Sequence, residues 1–164
     1  VQMNWQHQAP EQLTSLLRAL EHEARPDLPQ AQWLPRRERI DNLLDVADLP
    51  SAWHALTALH DDSDQPLARA ANTLADGCPL TAHLVWEQIR RARHLSLGEV
   101  FRMEYAMSLN CCRHPEFPEG VRARLIDKDQ APRWHWPDVA SIPAAVVAAH
   151  FEPVWDGDHP LADL

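Results

Sequence analysis

Glycine is scarce in this chain, 4 residues among 164, and none is arranged as a phosphate-cradling loop. That excludes the common nucleotide-binding fingerprints, and no G-x-S-x-G elbow or Ser/His/Asp pattern takes their place. Cysteine is equally sparse. Two of the three, Cys111 and Cys112, are adjacent and so poorly placed to bridge one another. A disulfide framework is therefore not expected, and a reducing compartment is the simpler reading. No apolar run approaches the ~20 residues that span a bilayer. Alternating β-branched or aromatic patterns are almost absent, which removes a β-rich fold from consideration. The ten histidines form neither H-x-x-x-H nor H-E-x-x-H, and none stands at zinc-ligand spacing from the cysteine pair, so no metal is expected. DDSD, at 61–64, lacks the glycine and the distant glutamate of a calcium loop and reads as a solvated turn.

What is present points to helices. Proline is plentiful (14) and punctuates segments rich in Ala, Leu, Arg and Glu. Seven tryptophans in such a chain imply broad, flat packing surfaces. The net charge of −9 argues against nucleic-acid binding. It is unevenly spread: residues 1–85 carry 6 basic and 12 acidic groups, residues 137–164 carry 5 acidic and no basic ones, and 86–136 alone is positive, at +2. An anionic ligand is least repelled there.

Apolar spacing predicts helices over about Pro10–Glu23, Arg36–Val46, Pro50–His60, Pro66–Ala75, Pro79–His94, Ser96–Arg113, Pro118–Ile126 and Pro143–Phe151. Leu13, Leu16, Leu17 and Leu20 form the stripe of the first. Asp48 is placed to cap the third, and Ser96-Leu-Gly-Glu99 is a capping box for the sixth. Gly77 is expected to close the fourth in a left-handed conformation. The sixth is apolar on nearly all sides and should be buried by its neighbours. Residues 127–137 read as extended. The expected organisation is a helical domain over 1–151 and an acidic, mobile tail over 152–164.

Few side chains stand out chemically. Cys111 and Cys112 sit at a helix C-terminus, where the dipole disfavours a thiolate, and read as packing residues. Glu104 shares a face with Val100, Met107 and Cys111. It reads either as a general acid or base or, preferably, as a carboxylate paired with Arg122 or Arg124. Lys128 is the only lysine, and by composition alone it is a surface residue. On these grounds the chain is a helical domain and no more.

A resemblance sharpens this. FRMEY-x-x-S (Phe101–Ser108), PEFPEGVRARLIDKDQAPRW (Pro115–Trp134) and the helix opening Cys78-Pro-Leu-Thr81 are similar to the C-terminal signature of the crotonase (enoyl-CoA hydratase/isomerase) superfamily. Leu125-Ile-Asp-Lys-Asp129 resembles the 3-hydroxyisobutyryl-CoA hydrolase branch in particular. The resemblance covers 80–150 well and 1–79 in helical character only. It implies an all-α, multi-helix C-terminal region that normally packs on a ββα-spiral core absent from this chain. That core supplies the peptide N–H groups of an oxyanion hole and the acidic residues. No catalytic residue is therefore expected on this chain. Lys128 corresponds to a lysine near CoA phosphate or adenine.

The implied function is the C-terminal portion of an acyl-CoA thioesterase acting on 3-hydroxyisobutyryl-CoA or a similar short acyl-CoA, in valine catabolism. This portion would wall the acyl pocket, mediate self-association into a homo-oligomer and be inactive alone. No cofactor is implied, since CoA is part of the substrate. The implied partners are the N-terminal crotonase core and the acyl-CoA, with no nucleic acid and no membrane. The expected location is cytoplasmic, or the mitochondrial matrix in a eukaryote. Val1 is not a Met, and the natural start is expected upstream. The alternatives are another crotonase activity, enoyl-CoA hydration or isomerisation, and a non-catalytic helical interaction domain.

Overall fold

A computed structural model describes residues 9–163, and every regular element among them is helical. Eight α-helices follow in order: α1 Ala9–Ala24, α2 Arg37–Leu44, α3 Leu49–Thr57, α4 Gln65–Ala75, α5 Pro79–Ala92, α6 Leu97–Arg113, α7 Glu116–Val121 and α8 Ala144–Ala149. The fold is all-α, as the patterning predicts. Contacts divide the chain into two units, residues 1–38 and residues 39–164.

In the first unit α1 carries the expected leucine stripe, and Leu13, Leu16, Leu17 and Leu20 remain exposed along it. The 3₁₀ turn Arg25–Asp27 closes the helix, with Pro26 in its first positions.

Three helices of the second unit begin with proline. Pro50, Pro66 and Pro79 occupy first-turn positions, where the missing N–H has no intrahelical partner to lose. Asp48 caps α3 by accepting from Ser51 N at 2.8 Å. At α6 both halves of the capping box form: Ser96 Oγ accepts from Glu99 N (3.3 Å), and Glu99 accepts from Ser96 N (2.7 Å). The hydrogen bonds from Ser96 hold the Glu99 carboxyl below the usual carboxylate range. The aspartate turn after α3 is a pairing site, since Asp62 accepts from Arg39 and from Asp64 N.

Two layers of apolar contact hold this unit. Leu49 and Ala52 of α3 are buried, as are Leu67, Ala68 and Ala71 of the adjoining α4. The main core gathers Leu80 and Leu84 of α5 with Ile142, Val147 of α8 and Phe151. Met103, Met107 and Trp136 pack against it. Arg91 lies over the Phe151 ring at 4.1 Å while donating to Glu87 at 2.8 Å.

Two expectations require correction. Gly77 is not left-handed; among the described residues the glycine with positive φ is Gly157. At Gly77 the constraint is space, because a Cβ would lie 3.1 Å from Leu74 O, the carbonyl that accepts its own N–H. Nor is α6 enclosed: Ala106 is its buried residue, and Phe101 is exposed. An apolar composition on all sides does not create neighbours for every side. The segment 152–163 runs along α6, where Asn110 Nδ2 donates to Glu152 O and Arg102 Nε to Leu161 O. Trp155 and His159 meet Tyr105 there.

Candidate functional site

The chain between α7 and Trp134 is organised by one guanidinium. α7 passes directly into a π-helical turn, Arg122–Ile126, whose Asp127 N donates to Arg122 O at 2.8 Å. Such a widened turn re-aims the residues after it and is often found at functional sites. Arg122 grips Glu119 through two parallel bonds (Nε to Oε2, 2.9 Å; Nη2 to Oε1, 2.8 Å). Its Nη1 reaches forward to Asp127 (2.7 Å) and Asp129 (2.6 Å), and Nη2 also donates to Ala131 O (3.2 Å). Glu119 in turn accepts from Arg133 N at 2.6 Å. The planar fork of arginine suits this bidentate grip; a lysine could not make it.

The electrostatics follow the geometry. Arg122 and the Arg133 N–H hold the Glu119 carboxyl at about 2. The Ala131 N–H, then Arg122, hold Asp129 below the usual range. The same carboxylates raise Arg122 further above its ordinary value.

Lys128 lies at the tip of this loop, exposed, with φ 56°. Gln130, two residues on, has the same φ of 56°. Left-handed backbone is costly for non-glycine residues and persists where the surroundings over-determine it. Here the surroundings are Arg122, Gln130 N donating to Ala123 O (3.1 Å) and Arg124 donating to Gln130 Oε1 (2.7 Å). Asp127 and Asp129, the carboxylates flanking Lys128, are both engaged by Arg122. Among the described residues the Lys128 ammonium has no hydrogen-bond or ion-pair partner, and it is exposed as a point charge with three donors.

Arg122 thus does not meet Glu104, as one reading of the sequence had it. Glu104 accepts from Gln88 Nε2 at 2.6 Å instead, a bond between α5 and α6. Among the described residues the buried carboxylate is Glu116, which accepts from His135 N at 3.0 Å. Neither Glu116 nor the buried His150 was singled out by sequence, since one chain alone gives no sign of which polar residue at a helix end turns inward. Cys111 behaves as a packing residue, and burial pushes its thiol up, away from thiolate chemistry. Among the described residues no group of three or more His, Cys, Asp or Glu is placed to hold a metal ion, and no helix is long and apolar enough to cross a membrane.

A second feature of this unit is a groove of about 1310 Å³ along α2–α5. Its lining includes Leu49, Trp53, Leu56, Val85 and Ile89, together with Arg90 and Arg93.

The all-helical order fits the helical C-terminal region of one enzyme superfamily. The family model described as enoyl-CoA hydratase/isomerase matches residues 1–151, and the chain belongs to that family. The hydrolase-branch resemblance is borne out by curated relatives. The mitochondrial 3-hydroxyisobutyryl-CoA hydrolase of Danio rerio is 40% identical over 97 residues, which is 59% of this chain and 25% of that protein. The Homo sapiens protein of the same name is 36% identical over 80 residues, 49% of this chain and 21% of that one. The chain therefore spans about a quarter of the length of these relatives. Among solved structures, a carnitinyl-CoA dehydratase from Mycobacterium thermoresistibile is similar with TM-score 0.66 and 30% identity, covering 77% of this chain and 36% of that one. An enoyl-CoA hydratase from Rhodobacter sphaeroides 2.4.1 is similar with TM-score 0.65 and 26% identity, covering 88% and 43%.

Proposed function

We propose that this chain is the C-terminal helical portion of an acyl-CoA thioesterase acting on 3-hydroxyisobutyryl-CoA or a similar short acyl-CoA. The observation that carries the reading is the segment Glu119–Trp134, in which the hydrolase-like phrase coincides with the loop that Arg122 fixes. In the reaction, water adds to the thioester carbonyl carbon and the C–S bond breaks. The acyl group leaves as a carboxylic acid, and the sulfur departs as CoA thiol. The groups that polarise the carbonyl and direct the water belong, in this reading, to the N-terminal crotonase core. The helices of this chain wall the pocket and carry self-association into a homo-oligomer; the apolar groove along α2–α5 is available for such packing. Lys128 contributes a cation for CoA phosphate or the adenine edge. The relatives' mitochondrial names support a matrix location in a eukaryote.

The test is thiol release by the full-length protein incubated with 3-hydroxyisobutyryl-CoA and followed with a thiol reagent. Stoichiometric release is expected. The two solved neighbours carry dehydratase and hydratase names, so the competing reading is hydration of an enoyl-CoA. That reaction consumes the conjugated double bond and releases no thiol, and such a result would replace the hydrolase reading. For Lys128, Lys128→Ala should raise KM for the acyl-CoA while leaving kcat nearly unchanged, the pattern of lost ground-state binding. An unchanged KM would remove Lys128 from the substrate site.

A further inference from the structure

We propose that residues 152–163 form an acid-released latch on α6, whose far turn is docked while the His159 ring is neutral and loosens when that ring gains a second proton. α6 grips this segment mainly through backbone carbonyls. Asn110 Nδ2 donates to His150 O (3.1 Å) and Glu152 O (2.9 Å), Arg113 Nη1 to Val154 O (3.4 Å) and Arg102 Nε to Leu161 O (3.1 Å). Trp155 adds an edge contact to the Tyr105 ring, with centroids 5.6 Å apart.

His159 joins the fold of the segment to its docking. Its Nε2 lies 3.2 Å from Arg102 O, and a carbonyl only accepts, so Nε2 carries the proton. Its Nδ1 accepts from Leu161 N at 2.9 Å. One nitrogen thus ties the tail to α6, and the other shapes the turn that brings Leu161 O to Arg102. Both bonds together require a lone pair on Nδ1. A second proton makes Nδ1 a donor, and two N–H groups then face each other. Either the ring turns away, which breaks its edge contact with Trp155 (4.7 Å, 84°), or the turn opens. Histidine is the side chain whose charge changes between about pH 5 and 8, so the docked turn is favoured above that window and lost as the pH falls through it.

The groups around the ring are mixed in sign. From α5, Arg91, paired to Glu87, lines the same cleft; from α6 come Arg102 and Tyr105. Asp156, Asp158 and Asp163 of the tail are exposed. The two arginines oppose a further positive charge, and the exposed aspartates act through water and count for little. Loosening the turn would open the cleft of about 500 Å³ whose wall includes Leu95, Met103 and Phe151. This inference does not depend on thioester hydrolysis.

The experiment is amide hydrogen exchange of the full chain followed by NMR between pH 8 and 5, corrected for the intrinsic effect of pH. The opening constant at the Leu161 amide should rise about fivefold or more toward pH 5, a ratio set by one neutral hydrogen bond, while core amides such as that of Leu84 keep theirs. His159→Asn offers Leu161 N an acceptor that does not titrate, and should hold the opening constant level across the range. His159→Ala should show the loosened value already at pH 8. A Leu161 opening constant independent of pH in the unsubstituted chain, the same rise in His159→Asn, or a tight turn in His159→Ala would overturn the proposal. So would a rise shared by Leu84, which marks general acid unfolding.

Discussion

Leu84 is the side chain on which the second unit's packing can be tested most directly. It is 4% exposed and belongs to the cluster of Leu80, Ile142, Val147 and Phe151. Leu84→Ala removes three carbons from that cluster. At about 0.8 kcal/mol per buried methylene the lost transfer energy is ~2.4 kcal/mol. The void left is on the order of 70 Å³, and at about 24 cal/mol per Å³ it adds ~1.7 kcal/mol if the surroundings do not collapse. The expected loss is therefore about 4 kcal/mol, toward the upper part of the ~2–5 kcal/mol range for such changes. Collapse is limited because the neighbours Leu80, Ile142, Val147 and Phe151 are themselves buried and held in place. Urea unfolding followed by far-UV circular dichroism gives the number, provided the slope is unchanged and only the midpoint moves. Val85, the next residue, is exposed and provides the control, with a loss under about 1 kcal/mol on truncation. A Leu84→Ala cost below about 1.5 kcal/mol would refute the claim that α5 and α8 share one close-packed core.

Further outcomes follow from the loop and the caps. Glu119 has its pKa depressed from 4.5 to about 2, so its stabilising contribution is present above 4.5 and is lost as the pH falls through about 2. Thermal melts across that acid window should show a decline for the unsubstituted chain that is shallower in Glu119→Gln. Ser96→Ala breaks one half of the α6 capping box and should cost about 1 kcal/mol in urea unfolding. At Lys128, Lys128→Ile places a β-branched residue at φ 56° and should cost about 1–2 kcal/mol, whereas Lys128→Gly should be nearly neutral, relief of strain offsetting the freedom gained by the unfolded chain.

Helices were the legible part of this chain because their signals are local. Prolines at first turns, the Ser96/Glu99 box and the Asp48 cap each act within four residues, and each lies where the pattern put it. Boundaries erred where tertiary contacts decide. The predicted helix Pro118–Ile126 divides into α7 and a π turn, since Arg122 reaches both back to Glu119 and forward to Asp129. That contact also turns the expected extended stretch after 127 into a fixed loop with two left-handed residues. The candidate site was visible as a phrase, not as a geometry. Lys128 could be named from resemblance, but its left-handed backbone and the engagement of both flanking carboxylates needed the fold. His150 and Glu116 were invisible, because burial of one polar residue among many is a property of packed neighbours. Glu104 was misassigned for the same reason; the face it shares is only partly covered, and Gln88 suffices as its partner.

The solitary Lys128 has a practical corollary. It offers the sole side-chain primary amine of these 164 residues, on an exposed loop of fixed conformation. Within these 164 residues an amine-directed fluorophore or cross-linker would therefore attach at a single known side-chain position, and a lysine-specific protease would have one peptide bond to cut. Masking of that position by a bound molecule or an adjoining polypeptide would register as protection from labelling, with no need to engineer a reporter.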